Sequence, residues 1–538
     1  MKTPTLLSLS CLLAMSVGAL NANDPVADPL RPKDPKSFTL SDARHLLFRA
    51  GLGGTPDEVS RLHRMGLVQA VDWFVDYEKT TDVVGPIEIT MPEPLDRRAY
   101  AKKSEMERRK INNERRRTDQ QKFAALRQWT MDRLLRSRRP LEEKMVLFWH
   151  NHFTSSYRDV RQAFLIAQQD ALLRHHATGN FGELLQEVSK DPAMLLYLNN
   201  QQNRKGRANE NYAREVMELF SLGIGNYTEK DIKEGARAFT GWQVDRRTGG
   251  FLFNRRAHDF GSKTFLGKTG YLGGEEVLDH ILEQKACAPY IASKIFAWLA
   301  YEPEDQALRE ALGKRLKSAL FEIKPLLRTI LKSEAFYSEE SKGTKVKSPV
   351  MLMVSSFRMF GMNPPPAETV LASCDSLGQA LLMPPNVKGW EGGLHWITTA
   401  TLLQRYNISG YVVKLGDQDS LALMSQKARK QFQANMRQIG GNRGRYLRRL
   451  AAWDSGMSFA GLCQVLQAGS LDDLVDKLAQ TYLFAPLPPE RRQALVDFLA
   501  GKDGSGALDV NKLGSPQAEA KIRKLIHLLM STPEFQVC

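Results

Sequence analysis

The sequence predicts a mainly α-helical protein of two multi-helical lobes with a small β-hairpin or loop insert. Three observations lead there. Short apolar stripes at helical spacing recur along most of the 538 residues, each bounded by capping residues or glycine. One stretch, 249–274, breaks that pattern with Phe251, Phe253, Phe260 and Phe265 set among glycines and basic residues. Two similar segments, LLRTILKSEAFY (326–337) and LIHLLMSTPEFQ (525–536), each close a helical run, as expected of two lobes. A chain of this length suits two or three domains, and 42% apolar residues can fill large cores.

Residues 1–22 read as a secretory signal peptide. Lys2 precedes an apolar run from Leu6 to Leu20, small residues follow, and cleavage is expected after Ala19 or Ala22. Residues 23–37 form an extended N-terminal segment, kept open by Pro25, Pro29, Pro32 and Pro35. No other segment reaches the roughly 20 apolar residues of a membrane helix, so an exported protein without a transmembrane segment is expected, periplasmic or extracellular.

The N-terminal lobe spans 38–363 and holds the insert at 249–274. Ser41 can cap a helix from Asp42 to Ala50, and Thr55-Pro56-Asp57-Glu58 starts the next. In LEEKMVLFWHNHF, Leu141, Met145, Phe148 and His152 share one core-facing stripe. Helices follow over 209–222 and 228–239, the second opened by Thr228 and Asp231 as a capping box. Pro364-Pro365-Pro366 divides this lobe from the C-terminal helical lobe, 364–538.

The formal charge of +15 is concentrated in places. Arg97 to Lys122 carries eleven basic residues interleaved with Glu105, Glu107 and Glu114, which suits a long solvated helix. Lys427 to Arg449 carries eight and no acid, a pattern suited to an anionic lipid, polysaccharide or protein. Export makes nucleic acid an unsuitable partner.

Known cofactor motifs are missing. Cys11 leaves with the signal, and Cys287, Cys374, Cys463 and Cys538 form no CxxC pair, which removes c-type haem, zinc ribbons and a dense disulfide framework. Gly267-Lys268-Thr269 copies the end of a nucleotide loop in the wrong register, and neither HExxH, GxSxG nor SxxK occurs. Metal content and cofactor stay unknown at this level.

The densest polar stretch is 199–242. Its helix aligns Asn211, Glu215 and Glu218 on one face beside an apolar face of Tyr212, Val216, Leu219 and Phe220. Asn199, Asn200, Asn211 and Arg214 have the directional donors and acceptors that recognise sugars, or that hold a buried polar network. Glu215, Glu218 and Asp259 are the candidate acid and base, with His258 and His150 assisting. His258-Asp259 equally suits a turn. His150 and His152 diverge by about 200° on a helix and cannot share an ion. Trp242, Trp390 and Trp396 offer flat faces to sugar rings, with Asn386 and Lys388 beside them, or the loop 383–393 clasps two lobes.

In order along the chain, HLLFRAGLGGTPDEV, FWHNHFTSS, ANENYAREVMELFSLGIGNYTEKDIKEGARAFTGW, HDFGSKTFLG and MPPNVKGWEGG resemble the bacterial exported family called domain of unknown function 1800, over roughly 38–538. The resemblance implies large bacterial proteins without an assigned activity. It also implies a neighbour, the exported family domain of unknown function 1501, similar to alkaline phosphatases and sulfatases. It carries over no catalytic residue. The expected function is an accessory or binding protein for an envelope or extracellular polymer, such as a polysaccharide, or for such an exported sulfatase- or phosphatase-like hydrolase. The alternatives are a hydrolase of glycans or related esters, and a purely structural helical scaffold.

Overall fold

The computed structural model describes residues 28–245, 247–414 and 453–538. Among them are 22 α-helices and four strands of three residues, so the protein is mainly α with small β inserts. The expected signal peptide and the basic run 427–449 lie outside the described residues. No helix among the described residues is long and apolar enough to cross a membrane.

Local chemistry starts the helices. Thr39, rather than the predicted Ser41, opens Leu40–Arg49: its hydroxyl accepts from the Asp42 amide (3.1 Å) and the Asp42 carboxylate accepts from the Thr39 amide (2.9 Å). Thr55 with Glu58 and Thr228 with Asp231 form the same reciprocal box. The 28–37 segment is not extended throughout, because Asp34 caps a 3-10 turn at Pro35–Ser37.

Helix Glu105–Arg136 is solvated over its first half, where Arg109 pairs with Glu105 at 2.6 Å, and buries one side from Phe123 onward. Helix Pro140–His152 is buried almost all round. The predicted stripe of Leu141, Met145, Phe148 and His152 is inside, but so are Glu142, Glu143 and Lys144.

Apolar side chains gather in two main cores. One runs from Leu30 to Tyr337, and the other joins residues from Val350 to Cys538 with Phe48, Leu52, Met131, Leu134, Leu135 and Leu147. Helix Pro349–Met359 therefore packs in the second core, although it precedes the triproline at 364–366. The two similar segments close these cores alike. Each ends a helix in a serine or threonine hydroxyl that accepts the amide of a buried phenylalanine, Ser333 from Phe336 (3.2 Å) and Thr532 from Phe535 (3.3 Å).

The insert consists of two antiparallel hairpins and begins at Trp242, ahead of the predicted 249–274. In the first, β1 (Trp242–Val244) pairs with β2 (Phe251–Phe253), Trp242 opposite Phe253. In the second, β3 (Lys263–Phe265) pairs with β4 (Lys268–Gly270). Leu266 and Gly267 both have positive φ, 46° and 84°, as a two-residue hairpin turn requires. Gly267-Lys268-Thr269 is therefore part of a hairpin.

Candidate functional site

The asparagines of 199–211 stitch the chain to itself. Asn200 is fully buried, and its Nδ2 donates to the main-chain oxygens of Phe239 and Trp242 (3.4 Å each). Asn203, also buried, donates to Ala236 O (2.8 Å) and to Asn200 Oδ1 (3.1 Å), and accepts from the Asn209 amide (2.9 Å). Asn211 donates to Leu198 O (3.1 Å), while Asn199 is exposed in the left-handed conformation (φ 58°). Asn200 and Asn203 thus spend their directional bonds on carbonyls at and just past the end of helix Glu229–Ala238. Arg214 forms a bidentate pair with Glu229 at 2.8 and 2.9 Å.

Helix Asn211–Glu218 buries Tyr212, Ala213, Val216 and Met217 and leaves Glu215 and Glu218 half-buried. It stops at Glu218, short of the predicted Leu222, as the amides of Phe220 and Leu222 bond carbonyls five residues back and Gly223 turns with φ 78°. Burial and the neighbouring Glu218 raise the Glu215 carboxyl above its usual range, while Arg214 and Lys388 pull it down. Glu218 accepts from the Tyr227 hydroxyl at 2.9 Å. Lys388, on the 383–393 loop, is within electrostatic range of Glu215. Asn151 holds that loop, its Oδ1 accepting from the Trp390 amide at 2.7 Å. Asn386 Oδ1 accepts from the Lys388 amide (2.9 Å). Trp390 and Trp396 are buried, and the Trp390 ring lies 6.1 Å from that of His150. Burial holds the His150 imidazole down to about 4, so it is neutral.

His258 is buried in the insert, and its Nδ1 donates to Thr240 O at 2.8 Å. Asp259 accepts from Arg237 Nε (2.8 Å) and the Gly261 amide (2.9 Å), and chiefly the Arg237 bond holds its carboxyl down to about 2. Burial lowers the His258 imidazole below its usual range, with Lys263 and Arg255 adding to that and Asp259 opposing it. Among the described residues, no hydrogen bond or ion pair joins His258 or Asp259 directly to Glu215 or Glu218.

The insert's outer side differs from these internal networks. Phe251, Leu252, Phe253 and Phe260 are 36% to 48% exposed. Trp242 backs them, edge-on to Phe251 at 5.3 Å, and His258 bridges Phe253 (5.1 Å) to Phe260 (4.6 Å). Arg255 stacks on Phe260 at 5.3 Å, and Lys190 lies 6.0 Å from the Phe251 ring. The exposed loop carrying Arg204, Lys205 and Arg207 docks alongside, its Lys205 amide donating to Ala257 O at 2.7 Å. Arg247 and Arg256 complete the rim, and none of these five exposed cations nor Arg255 has an ion pair among the described residues. An apolar patch rimmed by charge is the surface chemistry of a binding site. The sequence showed those aromatics as an anomaly in a helical chain; it gave no sign that loop 204–207 joins them.

A cleft of about 660 Å³ opens elsewhere, lined by Tyr77, Asp82, Trp129, Arg133, Glu142 and Arg174 among others. Asp82, Glu142 and Glu143 have a spacing suited to a metal ion. Arg133 already reaches all three, at 2.8, 3.1 and 2.7 Å, and Arg174 adds a 2.6 Å bond to Glu143. The guanidinium charge stands in for the cation the cluster would hold.

The fold and this site define a helical protein with a basic, aromatic-rich hairpin face. The family model described as protein of unknown function (DUF1800) matches residues 45–537, and the chain belongs to that family. No curated protein and no solved structure matches it.

Proposed function

We propose that this is an exported binding protein for an acidic polysaccharide of the envelope or extracellular space, held on the hairpin face. The carrying observation is the set of six exposed, unpaired cations around four exposed apolar side chains. Aromatic rings meet the C–H faces of sugars, and the arginines meet carboxylate or sulfate groups. Charge complementarity favours a polyanion, and the signal peptide expected from the sequence supports a partner outside the cytoplasm.

The test is binding of purified protein to polygalacturonate and to neutral dextran. The expected result is selective, salt-sensitive binding to the acidic polymer, weakened by about tenfold or more in the double variant R255E/R256E. Equal binding to dextran, or to neither polymer, would refute the proposal. Capture of an exported hydrolase through the same face would replace the glycan with a protein partner.

One observation favours a second reading, a hydrolase of glycans or related esters: Glu215, raised beside Glu218, is within electrostatic reach of Lys388. A Glu215→Gln variant with undiminished function in the native host would sink it.

A further inference from the structure

A second site lies where the two cores meet. Arg49 from helix Leu40–Arg49, Lys144 from helix Pro140–His152, Lys345, Lys347 and Cys538 line a cavity of about 70 Å³, with Trp390 and Trp396 in its wall. Arg49 is 1% exposed. Its Nε donates to Leu299 O (2.8 Å) and its Nη1 lies 3.4 Å from Cys538 O and 3.6 Å from Cys538 Sγ, whereas its buried Nη2 has no partner. Lys144 is 5% exposed, and its Nζ meets only the Met351 thioether, a weak acceptor, at 3.3 Å, with the Trp298 ring at 5.5 Å. Lys345 donates to Ala297 O and Trp298 O, and Lys347 to Phe535 O at 2.7 Å. Among the described residues, no Asp or Glu side chain forms an ion pair with any of the four, and Cys538 is the one negative group that acts on Arg49, Lys144 and Lys347 alike, one charge against three.

Buried charges require a counter-charge. We propose that the cavity binds one small oxyanion of the sulfate or phosphate class, held by Arg49, Lys144 and Lys347. Its volume accommodates a few waters at roughly 10–15 Å³ each, or one tetrahedral ion in their place. The exposed Gly393 at its edge gives a way in. Cys538 reports on the same field. Burial pushes its thiol up, but Arg49, Lys347 and Lys144 pull it further down, to a net value below the usual thiol range. Burial instead drives Cys287 and Cys463 up to about 12.

The experiment is calorimetric titration of the whole protein with sodium sulfate and sodium phosphate against chloride of equal ionic strength. In parallel, iodoacetamide modification of Cys538 is followed by mass spectrometry. The expected result is saturable binding and alkylation slowed about tenfold at roughly 90% occupancy. Lys144→Met removes no strong hydrogen bond, so the variant folds and loses both effects; Lys144→Gln gives a polar control of similar size. Glucose 6-sulfate distinguishes the source: tighter binding than inorganic sulfate identifies a group carried on a larger molecule, and weaker binding identifies the free ion. No saturable binding would show that the chain's own groups neutralise the cavity and would overturn the proposal. Equal effects in wild type and Lys144→Met would do the same, because sulfate stabilises proteins generally by exclusion from their surface.

Discussion

Helix Pro140–His152 supplies neighbouring residues to two buried charge clusters that are solved in opposite ways. Glu142 and Glu143 enter a network in which Arg133 and Arg174 meet every carboxylate at ion-pair distance. Lys144, the next residue, enters the cavity with Arg49 and Lys347, where the described residues provide no Asp or Glu partner. The first cluster borders an open cleft of about 660 Å³, the second a cavity of about 70 Å³. A matched cluster is complete as architecture, whereas an unmatched one calls for something from outside. The exposed cations of the hairpin face are a third case, since water solvates them and they can stay unpaired at little cost.

The strongest way to break this comparison is Arg133→Ala, which leaves Asp82, Glu142 and Glu143 facing one another without the central cation. A loss of about 3–5 kcal/mol is expected in denaturant unfolding. A loss below about 1 kcal/mol would mean that cleft water solvates those carboxylates as well as the guanidinium does. Lys144→Met, measured without oxyanion, should be neutral or stabilising by about 1 kcal/mol, because an unpaired buried charge gives way to an apolar side chain of similar length.

pH sharpens the contrast. Burial brings Lys144 from 10.5 down to about 8 and Lys347 from 10.5 down to about 7. A depressed base binds fewer protons when folded than when unfolded, so stability without oxyanion should rise from about pH 7 towards 10. Stabilisation by sulfate should fall over the same window, as the lysines that hold it lose their charge. Thermal unfolding across that range, in wild type and Lys144→Met, checks both slopes. The smallest effect belongs to the surface: R255E/R256E should change stability by no more than about 0.5 kcal/mol while weakening polyanion binding.

Much of the helical framework was legible because its signals are local. Thr55 with Glu58 and Thr228 with Asp231 start helices through bonds three residues apart, and each pair was visible in the sequence. The Leu40–Arg49 start was misplaced because Ser41 and Thr39 both have capping chemistry, and only the observed backbone shows Thr39 in the cap. The site was less legible. Asn200, Asn203 and Asn211 look the same in sequence whether they bind a sugar or a carbonyl; here Asn200 and Asn203 serve helix-end carbonyls and Asn211 the loop carbonyl of Leu198. Arg49, a lone cation in the apolar run LLFRAGL, was an available signal but was read only as part of a helix, and Lys144 beside Glu142 and Glu143 looks in sequence like one of their partners.

By itself the sequence determined the helical class, the family and the place of the insert, because periodicity, caps and ordered motifs act over a few residues. Only the tertiary structure decided which charges are satisfied. Arg49 and Cys538 meet across 489 positions, Lys144 and Met351 across 207, and the hairpin gains its basic rim from a loop ahead of helix Asn211–Glu218. Burial turns a charge from a solvated surface group into one that needs a partner, and burial is a property of the packed chain.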